Sequence, residues 1–151
     1  MASTLTLFDA FKLYITDGTL DLNSNTFKCT LHTSAYTPNA SSQTQMSHIN
    51  AEVANANGYT TGGKTLTTIG LVNTAGTVKW SADNLVWSAT GGSIVARYAV
   101  ISATNTANGV TAPLVGYITL NDNGGSPLDV TVTDGNTLTL QWNVSGIITL
   151  S

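Results

Sequence analysis

Any chemistry in this chain would have to come from two histidines, His32 and His48, the single cysteine Cys29, and eight carboxylates. Glu52 follows His48 by four residues, and on a helix that spacing puts both side chains on one face. A metal site needs further ligands, and the polar segment around this pair supplies none of the usual kinds. The aspartates mostly stand beside Gly, Asn or Pro, where the side chain closes Asx-turns. No local pattern marks a glycosidase pair. Asp122-Asn123 and its glycines lack the alternating acidic spacing of a calcium loop. There is no nucleophile elbow, Walker loop or dinucleotide fingerprint. Residues 58–63 (GYTTGG) carry glycines without a following Lys-Ser/Thr pair, and they read as a turn between strands. The residues therefore predict no catalytic, cofactor-binding or metal-ligating set, no cofactor and no enzyme.

The remaining reactive side chains read as structural. Cys29 shares its phase with Phe27 and Leu31, so it is expected in the core; being alone, it can form no intrachain disulfide. His32 falls in the opposite, outward phase and reads as a surface or interface histidine. Trp80, Trp87 and Trp142 alternate with polar neighbours and are assigned to the core, with an exposed aromatic platform for sugars as the alternative. Arg97, the only arginine, lies inside an apolar run and must be paired or snorkelling. Asp83, just ahead of the Trp87 strand, is its expected partner, a structural pair that would fix strand register. Residues 39–41 and 143–145 match the glycosylation acceptor pattern; the first eleven residues do not read as a secretory signal, so these are taken as chance matches.

The elements that must position these residues are mostly strands. Residues 27–31 and 137–142 alternate apolar with polar at period two. Residues 94–101 (IVARYAVI) and 114–120 (LVGYITL) are apolar on both faces and predict central strands covered on both sides. Shorter strands are expected over residues 65–71, 77–80, 85–87 and 128–133, with a last one ending in Ile148 and Leu150. Near the N-terminus, the three- and four-residue steps of Phe8, Phe11 and Ile15 favour a short amphipathic helix ended by Asp17-Gly18. Asn-Gly, Gly-Gly and Asp-Gly pairs punctuate the runs, and Asp134-Gly135 is the expected tight hairpin. Short, evenly punctuated strands predict an all-β fold, an antiparallel β-sandwich of jelly-roll or immunoglobulin-like type. We divide the chain into an N-terminal arm or short helix (residues 1–20) and a single sandwich domain (residues 21–151). Residues 37–57 form a long polar interruption, in which residues 49–56 fit one helical turn; it is expected on an exposed edge or against a neighbouring subunit.

Composition narrows the partners. Charged residues are 9% of the chain, against about 25% in ordinary soluble domains, while hydrophobic residues are 42%. Thr, Asn, Ser and Gly take the place of charge. Five scattered cations argue against nucleic acid and against an anionic membrane surface. No apolar run is long enough for a transmembrane helix. A neutral polar surface suits lasting contact with other protein. The apolar stretch over residues 5–15 would serve as an arm docking on a neighbour, its burial coupling folding to assembly.

Six segments, taken in order, resemble a family of small structural proteins of tailed bacteriophages. They are TFKCTLHTSAYTPN (26–39), GYTTGGKTL (58–66), KWSADNLVWS (79–88), ARYAVI (96–101), PLVGYITL (113–120) and QWNVSGIITL (141–150), with Glu52-Val53 in the expected place between the first two. Residues 83–87 (DNLVW) depart from the family's D-D-V-x-W phrase around the acidic residue. The resemblance covers nearly everything after residue 20. It implies a virion component made in the host bacterial cytoplasm: a capsid decoration (cement) protein that binds the head lattice as a homo-oligomer, a trimer by preference. Its partners would be copies of itself and the major capsid protein or other virion proteins. The alternative is a head or tail fibre or neck component, with or without carbohydrate binding. Leu5, Leu7, Phe8, Phe11, Tyr36 and Pro38 are the expected oligomer or capsid contacts.

Overall fold

The computed structural model describes residues 4–151. Among them the chain is all-β and sandwich-like, with one short α-helix. A five-stranded sheet forms one layer. Its order is β1 (Leu5–Leu7), β11 (Leu114–Thr119), β8 (Tyr98–Ala103), β2 (Phe27–His32) and β3 (Lys64–Thr65), every pairing antiparallel. The facing layer is divided among short ladders. β14 (Ile148–Leu150), β5 (Thr77–Ser81) and β4 (Gly70–Thr74) make a three-stranded sheet. β6 (Leu85–Ser88) pairs with β13 (Thr137–Leu140), and β7 (Ile94–Ala96) pairs with β12 (Val130–Val132). β9 (Thr106–Ala107) and β10 (Val110–Thr111) form a small hairpin closed at Asn108-Gly109.

The main core lies between the two layers. Phe27, Cys29 and Leu31 of β2 and Ala99 and Ile101 of β8 meet Trp80, Trp87, Ile94 and Leu140 from the facing strands. Phe27 and Trp80 pack edge to face with centroids 4.9 Å apart. A second, smaller core of Phe8, Tyr36, Val100 and Leu114 sits on the other face of the five-stranded sheet. Residues 40–51 pack against it through Ala40, Met46, Ile49 and Ala51. That cover is why β8 is apolar on both faces, as its sequence predicts.

The helix α1 (Asp9–Thr16) buries Phe11 and Tyr14, leaves Leu13 exposed, and ends where the Asp17 N–H returns to the Leu13 carbonyl at 2.9 Å. Residues 1–3 of the expected arm lie outside the described residues; residues 5–16 pack on this chain's own sheet as an edge strand and the helix. β1 is laced to β11 in register, and the Phe8 N–H donates to the Val115 carbonyl at 3.1 Å.

Three expectations about the strands need correction. Residues 94–101 are not one strand. The chain bends at Arg97, whose N–H donates to the His32 carbonyl at 2.8 Å, and β7 and β8 enter different sheets. Asp134-Gly135 does not close a hairpin. β12 and β13 pair with β7 and β6, so residues 85–96 and 130–140 form one interrupted ribbon, with the Gly135 N–H bonded to the Ala89 carbonyl at its centre. Residues 65–71 are split as well. Thr68 stands at φ 54°, and Thr67 and Thr68 both donate hydroxyls to Asp83 there. The tight hairpin of the facing layer is instead β4–β5, turned by Ala75 and Gly76 with both φ angles positive.

Candidate functional site

The densest polar cluster lies at the end and along the edge of β2, where Ile49 and Ala51 pack toward the second core while Val53 and Tyr59 pack into the main one. It is built from the end of β2, the turn after it, and residues 49–63. Lys28, Thr30 and His32 alternate onto the second face of the five-stranded sheet, opposite the core phase of Phe27, Cys29 and Leu31. The sequence reading had the phase right and the exposure wrong. His32 is fully buried, because residues 49–51 and Tyr36 cover the face it points to. Its Nδ1 lies 2.8 Å from the Asn50 carbonyl, and its Nε2 lies 2.8 Å from the Thr30 hydroxyl. Burial pushes its pKa below the ordinary imidazole value, against the Asn50 carbonyl and the Glu52 charge, which favour the cation.

Glu52 organises the next turn of the chain. Its Oε1 accepts the Tyr59 hydroxyl at 2.6 Å and the Gly62 N–H at 2.6 Å. The Tyr59 hydroxyl in turn accepts the Leu31 N–H at 3.0 Å, which ties the segment back to β2. Burial, then the bond to Glu52, pushes the Tyr59 hydroxyl well above the usual tyrosine range, so it stays a donor. Gly63 closes the turn at φ 66°, where any Cβ would collide with the Cys29 carbonyl. Ala51, at φ 56°, is held by the Thr33 N–H at 2.9 Å. Residues 49–56 are thus irregular rather than helical, and Glu52 does not share a face with His48. The His48 Nδ1 accepts the Thr44 N–H instead.

This arrangement holds a chain segment in place. His32 has one carboxylate beside it, Glu52, and no three His, Cys, Asp or Glu side chains converge among the described residues. Cys29 is fully buried, as its phase predicts, and burial raises its thiol pKa far above the ordinary value.

The expected contact residues divide. Phe8, Phe11 and Tyr36 are buried within this chain, so in this conformation they cannot meet a partner. Phe8 and Tyr36 serve the second core, where Tyr36 packs edge to face on Tyr98 at 5.6 Å and donates its hydroxyl to Gln43 at 2.8 Å. Pro38 is half-buried beside them. Leu5 and Leu7 are half-buried on the edge strand β1 and, with Ile147, Ile148 and Thr149, line an open groove of about 150 Å³. Ligand sites usually enclose about 300–1,000 Å³. Asp83 is not the partner of Arg97. The Arg97 Nε donates to Asp129 Oδ1 at 2.8 Å, while Asp83 caps the Thr67-Thr68 turn. Trp80 and Trp87 are 1% exposed and Trp142 7%, which places all three in the core.

What the sequence reading missed is the unpaired edge of β4. Its residues Leu71 to Thr74 are all exposed, with Val72 at 56%, and the strand bears no charge and no proline. The edge strands of the five-stranded sheet are shorter: β1 has three residues, and β3 has two and carries Lys64. An uncharged, five-residue edge with Leu71 and Val72 exposed departs from the usual protection of sheet edges, and that departure is readable in GLVNT once its edge position is known.

Comparison of the chain with protein-family models, curated proteins and solved structures finds no match.

Proposed function

We propose that this chain is a structural component of a tailed-bacteriophage virion, a capsid decoration (cement) protein that binds the head lattice as a homo-oligomer, with a trimer favoured. The ordered phrases described above support the family. The observation that carries a contact role is the bare β4 edge: an exposed, uncharged strand bearing Leu71 and Val72 on a surface rich in neutral Thr, Asn and Ser. Such a surface binds through neutral hydrogen bonds and apolar contact, so its association should respond little to salt. Burial of all three tryptophans removes the sugar platform on which the carbohydrate-binding alternative drew.

The test is light scattering of the purified chain across salt concentrations, followed by addition to heads lacking it. A discrete oligomer that decorates heads, with binding little changed between low and high salt, is expected. A monomer at tens of micromolar that ignores heads would overturn the reading. Labelled protein found on fibres or neck in particle images would move it to the alternative.

A further inference from the structure

We propose that residues 49–53 form a pH-sensitive latch, closed along the end of β2 when His32 is neutral and loosened when it takes a proton. The inference is independent of the virion reading.

The hydrogen-bond geometry defines the neutral state. A carbonyl only accepts, so the bond to Asn50 puts the proton of His32 on Nδ1. Nε2 then accepts, and Thr30 must donate its hydroxyl to it. Thr30 also lies 3.4 Å from the Val100 carbonyl, and its one hydroxyl proton cannot serve both. When His32 gains a proton, Nε2 becomes a donor and the Thr30 hydroxyl turns to Val100. Both states satisfy their hydrogen bonds, so the cost of protonation is that of a buried cation rather than of a lost bond.

The groups facing the ring do not offset that cost. On its own strand stand Thr30 and, four residues back, Lys28. Tyr36 from the following turn and Tyr98 from β8 are neutral. The guanidinium of Arg97, beside β8, is turned to Asp129. Glu52 is the one anion, and its Oε1 is already engaged by Tyr59 and Gly62. The cheapest way to hydrate a cationic His32 is to lift the segment that covers it. Opening would break two backbone bonds across the seam, Thr33 N–H to Ala51 and Val53 N–H to Leu31, and would relax Ala51 from its left-handed conformation.

The sign follows from linkage. The unfolded imidazole titrates near 6.5 and the buried one lower. Closure is therefore at full strength above about pH 6.5 and weakens as pH falls below it, by up to about tenfold in the closing equilibrium per pH unit.

Amide hydrogen exchange of the full chain tests this. Corrected for intrinsic rates, the Thr33 and Val53 amides should lose several-fold protection between pH 7.5 and 5.5, while Ile101 of β8 does not change. In Glu52→Gln the dependence should persist; in His32→Gln it should vanish. Nitrogen NMR of the His32 ring in the unmodified chain keeps the test decisive if His32→Gln fails to fold: it should show the Nδ1–H tautomer and titration below 6.5. Equal protection at both pH values, an ordinary or raised His32 titration, or loss of the effect in Glu52→Gln would overturn the latch.

Discussion

The Tyr59 hydroxyl stands between two parts of the chain, donating to Glu52 at 2.6 Å and accepting the Leu31 N–H at 3.0 Å. Tyr59→Phe removes both bonds and leaves a buried strand N–H unpaired. The expected loss is about 1–3 kcal/mol, read from urea unfolding. A loss near zero would mean the bridge does not hold the segment.

The tryptophans are expected to differ. The Trp80 Nε1 donates to the Leu22 carbonyl at 2.9 Å, whereas the Trp87 Nε1 has no partner among the described residues. Truncation of either to Ala should cost about 3–5 kcal/mol. Replacement by Phe should cost about 1 kcal/mol more at Trp80, where a buried carbonyl is orphaned, than at Trp87. Paired denaturation curves for the two Phe variants check the ordering.

The ion pair of Arg97 with Asp129 is partly exposed on both sides, with side-chain exposures of 27% and 37%. A double-mutant cycle should give a coupling of about 0–1 kcal/mol that fades in high salt. The same cycle between Arg97 and Asp83 should give none. Asp83→Asn should act instead on the Thr67-Thr68 turn.

Two glycines at positive φ separate backbone strain from collision. A Cβ at Gly76 meets nothing within 4 Å, so Gly76→Ala should cost only the left-handed term of about 1–2 kcal/mol. A Cβ at Gly63 strikes the Cys29 carbonyl, so Gly63→Ala adds displacement of β2 and should cost far more or abolish folding. Thermal unfolding of both variants distinguishes the two.

Val72→Lys places a charge on the exposed β4 edge, where little else changes. Stability should stay within about 0.5 kcal/mol of the parent chain. Self-association or head binding should be lost if that edge is a contact. An unchanged oligomer on light scattering would remove β4 from the contact surface.

Several features were legible in the sequence because they depend on local spacing. Period-two alternation placed Cys29, Phe27 and Leu31 in one phase and the tryptophans in the core. The two-faced apolar run in β8 correctly required cover on both sides, and the steps from Phe8 to Ile15 marked a helix. Sequence-level reading also identified an all-β sandwich-like class, since short strands with frequent turn residues can bury a core in few other ways. The rest required the folded chain. Alternation assigns a face, but not what lies over it, so the phase of His32 reads as outward while residues 49–51 and Tyr36 in fact bury it. A turn signal marks where the chain breaks, but not which strands pair, so Asp134-Gly135 interrupts a ribbon instead of closing one. A charge finds its partner by distance in space, and only the tertiary structure brought Asp129, rather than Asp83, to Arg97.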